Sequence, residues 1–168
     1  MKKYIYFSLT IIFLSLIWIG CSNTVSSGED DNTSWVFVAN EGNGCWEEYG
    51  DDCSQPGNGS ISMIDDNGNI NHIENIGYTV NSLEVYNNKL YVIVNQDHKI
   101  LTYNINSAGI SIANTLIIPN ESLPREMVII NDKIYFTNWK TQDIKIFDIQ
   151  NNQLEESSIA INGRPEDI

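Results

Sequence analysis

Two stretches of the chain, LEVYNNKLYVIVNQDHKILTYN from Leu83 to Asn104 and MVIINDKIYFTNWKTQDIKIFD from Met127 to Asp148, align without a gap at an offset of 44 residues. Leu83 falls on Met127, Asn88 on Asp132, Lys89 on Lys133, Tyr91 on Tyr135, Ile100 on Ile144 and Tyr103 on Phe147. A partial earlier copy runs through Trp35 to Asn40 and Ser60 to Asp65, and a further start at Pro165 to Ile168 matches Pro124 to Met127 at an offset of 41. A unit repeated at this spacing cannot bury its apolar face alone, so it must stack against its neighbours. That requirement decides the architecture before any single residue is considered.

The units are built of strands. Tyr91 to Val94 and Ile134 to Thr137 are β-branched and aromatic runs suited to a pleated, packed surface. Asn87-Asn88, Asn131-Asp132, Asp66-Asn67-Gly68 and Asn151-Asn152 separate the runs with residues that tolerate tight turns. No window carries a helical stripe. Four strands per unit are predicted: 83–86, 89–94, 100–104 and 110–117, then 127–130, 133–137, 144–149 and 154–161. The fold class is therefore all-β, and short strands at this period indicate propeller blades. The expected blades cover about 35–77, 80–119 and 123–162, with another beginning at 163–168.

With Ala39-Asn40-Glu41-Gly42 followed by Gly59-Ser60-Ile61-Ser62, residues 35 to 168 resemble the surface-layer-like propeller superfamily, which includes YVTN-repeat and quinoprotein amine dehydrogenase-like proteins. Propeller lipoproteins of Bacteroidetes are the most similar group. In such rings the C-terminus supplies the inner strand of the first blade, and here that blade begins at its second strand. The resemblance thus implies an N-terminal fragment of a seven- or eight-bladed ring, because an open sheet edge with half a core is an aggregation hazard. A self-assembling three-blade unit is the alternative.

The N-terminus carries an export signal. Lys2 and Lys3 precede an uncharged, Ile-, Leu- and Phe-rich run from Tyr4 to Ile19, which stops at Gly20 and Cys21 and turns polar at once. It is shorter than the roughly 20 apolar residues of a spanning helix. Gly20-Cys21 resembles the lipobox of bacterial lipoproteins, although Trp18 stands where that family usually has Leu. The resemblance implies cleavage after residue 20, a lipid on Cys21 and attachment to the membrane. The expected location is the cell envelope, in the outer membrane facing the periplasm or the cell surface. Residues 21–34, with Ser26, Ser27, Gly28, Glu29, Asp30 and Asp31, read as a flexible acidic tether. Losing Lys2 and Lys3 leaves a formal charge two units below the −13 of the whole chain. Phosphate backbones are repelled by such a surface, and with only Arg125 and Arg164 as arginines nucleic acid is excluded as a partner.

Once Cys21 is lipidated, Cys45 and Cys53 remain as an even pair. In an oxidising compartment they are expected to form a disulfide. Zinc, the competing reading, wants closer Cys spacing and nearby His or Cys ligands, and neither His72 nor His98 lies in this segment. The loop so closed carries Trp46, Glu47, Glu48, Tyr49, Asp51 and Asp52. An aromatic and acidic surface of this kind can stack on a sugar or corrin-like ring or bind calcium, against a bland reading as a solvated decoration. Equivalent turns hold Asn95, Asp97 and His98 in the second blade and Trp139 and Lys140 in the third, so all three should converge on one rim. Arg125 and Arg164, near the heads of inner strands, can grip an anion in bidentate fashion. The alternative is pairing with Glu126, Glu166 or other carboxylates to fix blade spacing.

No catalytic or metal constellation is recognisable. A Gly-x-Ser-x-Gly elbow, a His-Glu-x-x-His helix and a phosphate loop are absent from the sequence. Asp65 to Gly68 lacks the alternation and distal Glu of a calcium loop. The expectation is a non-catalytic module that binds a small molecule or an outer-membrane transporter. Resemblance to the Bacteroidetes lipoproteins sharpens this to cobalamin capture. The alternatives are a quinoprotein- or lyase-type propeller enzyme and a cell-surface adhesion or scaffold protein.

Overall fold

The computed structural model describes residues 34–45, 52–54 and 57–168. The signal segment, Cys21 and most of the proposed tether lie outside them. The eleven described strands form three antiparallel sheets, each a meander in chain order. The first contains β1 (Val36–Asn40), β2 (Gly59–Ile64) and β3 (Ile70–Gly77). The second contains β4 (Val80–Tyr86), β5 (Lys89–Val94), β6 (Lys99–Asn106) and β7 (Gly109–Ile117). A 3-10 turn at Pro119–Glu121 leads to the third, with β8 (Pro124–Ile130), β9 (Lys133–Asn138), β10 (Asp143–Asp148) and β11 (Gln153–Ala160).

The sheets pack face to face as adjacent blades. In β5 every residue from Leu90 to Val94 is buried, because the two faces of the strand serve different cores. Leu90, Val92 and Val94 join Ile61, Met63 and Val80 between the first and second blades. Tyr91 and Ile93 join Ile134, Phe136 and Met127 between the second and third. Period-two alternation is therefore present in β5 but invisible as a polarity pattern, since both faces are covered. In β1 only one face is: Phe37 and Ala39 pack on the first core, while Val36 and Val38 on the other face are 59% and 40% exposed.

The turns explain the spacing. Asn87 and Asn88, at φ 49° and 56°, and Asn131 and Asp132, at φ 50° and 61°, place two successive residues in the left-handed region. Two-residue hairpins matching the strand twist require this, and Asn and Asp accept it more readily than other side chains with a Cβ. Asp65 likewise closes a hairpin, its carboxylate accepting from the Asn67 and Asn69 amides at 2.9 and 2.8 Å.

Inner strands begin earlier than the sequence suggests, at Val80 and Pro124 rather than at Leu83 and Met127. The reason is a bulge in each. The ladder passes from Val80↔Val94 directly to Ser82↔Ile93, and from Pro124↔Asn138 to Met127↔Phe136. Asn81, and Arg125 with Glu126, are thereby left without ladder partners, and a bulge of this kind re-aims side chains. Pro124 fits because it opens its strand. Pro165–Ile168, expected to begin another inner strand, is not in a strand; among the described residues no second strand lies beside it to complete a ladder.

Candidate functional site

Hydrogen bonds tie the turn after the second strand of each blade to the head of the next inner strand or, after the third blade, to the segment at Pro165 that the repeat aligns with one. The Val80 amide donates to the Glu41 carbonyl at 3.2 Å, Asn95 Nδ2 to the Pro124 carbonyl at 2.7 Å, and Trp139 Nε1 to the Pro165 carbonyl at 2.8 Å. Glu41, Asn95 and Trp139 occupy one position of the repeat, as do Val80, Pro124 and Pro165. These contacts gather the turns and the strand heads on one rim.

On that rim Cys45 and Cys53 are joined by a disulfide, with 5.6 Å between their Cα atoms. The second blade holds both ends. Gln96 Nε2 donates to the Cys45 carbonyl and Gln96 Oε1 accepts from the Cys45 amide, both at 2.6 Å, while Thr79 Oγ1 donates to the same Oε1 at 2.9 Å. Tyr78 Oη donates to the Cys53 carbonyl at 2.8 Å. The loop returns against backbone at Gly57, where a Cβ would lie 2.2 Å from the Tyr78 nitrogen. Removing the Gln96 amide is expected to free one end of the loop and leave the cores intact. In Gln96→Ala the Cys45 amide should exchange roughly five- to tenfold faster, the value of one hydrogen bond near 1 kcal/mol, with little change in melting temperature. Unchanged exchange at Cys45 would show that Gln96 does not dock the loop.

The other rim candidates divide sharply. Trp46, Glu47, Glu48, Tyr49 and Asp51 lie outside the described residues. Asp52 is exposed and accepts from the Ser54 amide at 3.0 Å, and its hydrogen bonds with Ser54 hold its carboxyl below the usual range. Asn95 is buried in the blade junction. Asp97 accepts from the Tyr78 amide at 2.8 Å and pairs with Lys99 at 3.1 Å. His98 Nδ1 faces the Leu123 amide at 3.4 Å, and burial pushes its pKa down, with Lys140 adding to that and Glu121 and Asp97 opposing it. Lys140 pairs with Glu121. Asn95, Asp97 and His98 thus engage backbone groups of adjacent segments.

Arg125, Trp139 and Arg164 do come together. The Arg125 guanidinium lies over the Trp139 ring, 4.2 Å from its centre, and that of Arg164 lies 6.0 Å from it. Trp139 is half-buried and its N–H is engaged. Arg125 Nε lies 2.9 Å from Glu166 Oε2 as an ion pair, yet it is out of hydrogen-bonding alignment and has no hydrogen-bond partner among the described residues.

Glu126 sits beside Arg125 in the bulge. Burial pushes its carboxyl above the ordinary 4.5; Ser82 and Arg125 oppose this, and Asp167 and Glu166 add to it. The folded protein therefore keeps this proton to higher pH than the unfolded chain does. The associated stability is complete below pH 4.5 and is lost as pH rises through the folded value. Glu126→Gln should accordingly melt higher than the parent at pH 7 and lose that advantage below pH 4.5. Melting curves of both proteins from pH 4 to 8 check this, and parallel curves would contradict it. Glu126 and Glu166 are the carboxylates expected to pair with the arginines, and Arg125 does pair with Glu166; Glu41 was not singled out.

Stacked antiparallel blades, one of three described strands and two of four, with the inner strands β4 and β8 side by side, define the class: the chain is a β-propeller array. A luciferin-regenerating enzyme has a similar structure, at a TM-score of 0.57 and 17% identity, covering 78% of this chain and 49% of that one. AztD from Citrobacter koseri in its apo form is also similar, at a TM-score of 0.50 and 18% identity, covering 63% of this chain and 30% of that one. The chain thus spans about half the length of the first and under a third of the second, and at these identities the likeness is one of fold. No protein-family model and no curated protein matches the sequence.

Proposed function

We propose that this chain is an exported lipoprotein, held in the cell envelope through a lipid on Cys21, whose propeller binds a ligand or partner at the rim carrying Arg125 and Trp139 and performs no chemistry of its own. What supports the binding reading is the bulged inner-strand heads, where the Arg125 guanidinium is held by an ion pair to the exposed Glu166 and the Asn81 carboxamide oxygen is buried without a hydrogen-bond partner among the described residues. Polar groups in that condition cost stability unless something meets them. In its sharpest form the module serves outer-membrane nutrient uptake by capturing cobalamin for a transporter.

Two measurements test it. Produced with its own N-terminus in a Gram-negative host, the protein should incorporate labelled palmitate and Cys21→Ala should not; an unlabelled parent protein removes the lipid anchor from the proposal. A cobalamin difference spectrum should appear with the parent protein and fade with Arg125→Ala. The absence of any spectral change rejects cobalamin as the ligand.

A further inference from the structure

The repeat aligns the strand heads. Asn81, Arg125 and Glu166 share one position in successive copies, and Ser82, Glu126 and Asp167 share the next. Since the ladder skips Asn81 in one blade and Arg125 with Glu126 in the next, these side chains are set apart from the sheet hydrogen bonding. The inner strands β4 and β8 lie side by side, so the bulges are neighbours.

Their bonding is half complete. Asn81 Nδ2 donates to Glu41 Oε1 at 3.1 Å, but Asn81 Oδ1 is buried and accepts nothing among the described residues. Arg125 has its ion pair with Glu166 but no hydrogen bond at Nε, and its side chain is only 25% exposed. A guanidinium offers a planar fork of donors that fits a carboxylate. On the neighbouring bulge, the buried carboxamide oxygen of Asn81 calls for a donor. A plain carboxylate would satisfy the fork but would meet Glu41, Glu126, Glu166 and Asp167 with nothing to offset them.

Resting on the binding-module reading above, we infer that the bulged heads form a subsite for a small organic acid carrying an amino or hydroxyl group on the carbon next to its carboxylate. The carboxylate takes the Arg125 fork in place of Glu166, and the adjacent donor meets Asn81 Oδ1. Alanine, lactate and propionate form a matched series, differing chiefly in the group on that carbon.

The readout is specific because the chain has only two arginines, Arg125 and Arg164. Their Nε–Hε signals in nitrogen-15 spectra of the whole protein are assigned with Arg164→Lys. Alanine or lactate should shift the Arg125 signal saturably, with propionate binding at least tenfold more weakly. Comparing the first two identifies the preferred donor. Asn81→Leu should erase the preference over propionate. If that variant does not fold, Arg125→Lys, which keeps the charge and loses the fork, should weaken the better ligand at least tenfold. Equal binding of all three acids, a response confined to Arg164, or no response overturns the inference. If cobalamin still gives its difference spectrum in that event, the binding module survives without this subsite; if it does not, both fall.

Discussion

Phe136→Ala is expected to lower the unfolding free energy by about 3–5 kcal/mol, the usual cost of emptying a buried phenyl site. Phe136 is fully buried in β9, where it packs with Tyr91, Ile93, Ile134 and Met127 between the second and third blades. Strands on both sides of that junction are fixed by their own ladders, so they cannot close readily around the void. Denaturant titration of the parent and variant measures the effect. A loss below about 1 kcal/mol would mean that the blades are not joined through this core.

Lys145→Met should cost about 3 kcal/mol, with a distinct signature on double substitution. Lys145 Nζ lies 2.6 Å from Asp143 Oδ2, and the two side chains are only 11% and 10% exposed. Thr141 Oγ1 donates to Asp143 Oδ1 at 2.5 Å. Burial by itself pushes the Asp143 carboxyl up, but Lys145, Thr141 and Ser158 outweigh it and hold the carboxyl below the ordinary range. Removing the ammonium strands that carboxylate in a poorly solvated site. Replacing the carboxylate as well, in Asp143→Asn with Lys145→Met, should restore most of the loss, because the cost lies in the unmatched charge. If the double variant is as unstable as the single one, packing of the lysine stem rather than charge pairing is responsible.

Most of the strand plan was legible because two physical signals agree at each repeat. Asn87-Asn88 and Asn131-Asp132 announce left-handed turns, and the runs beside them are β-branched or aromatic. What stayed hidden was the bulges. Nothing in Val80-Asn81-Ser82 or Pro124-Arg125-Glu126 marks the point where a ladder slips, since register is settled by the partner strand. Arg125 stands out in the sequence by its charge, while Asn81, its counterpart 44 residues earlier at an entry to the same face, has no charge to mark it. Asn95, Asp97 and His98 stand in a polar turn, which is what marks them as binding candidates in the sequence. In the fold those polar atoms answer backbone groups of adjacent segments, a relation between distant residues that local composition does not record. Gln96 was passed over for a similar reason: its partner, Cys45, is 51 residues away.

Strand β5, with one face in each of two cores, makes stability a property of junctions. A row of such sheets has one fewer contact than it has members, whereas a closed circle has equal numbers. Closing the circle therefore adds a whole contact without lengthening the polypeptide, and loss of any member from the middle removes two.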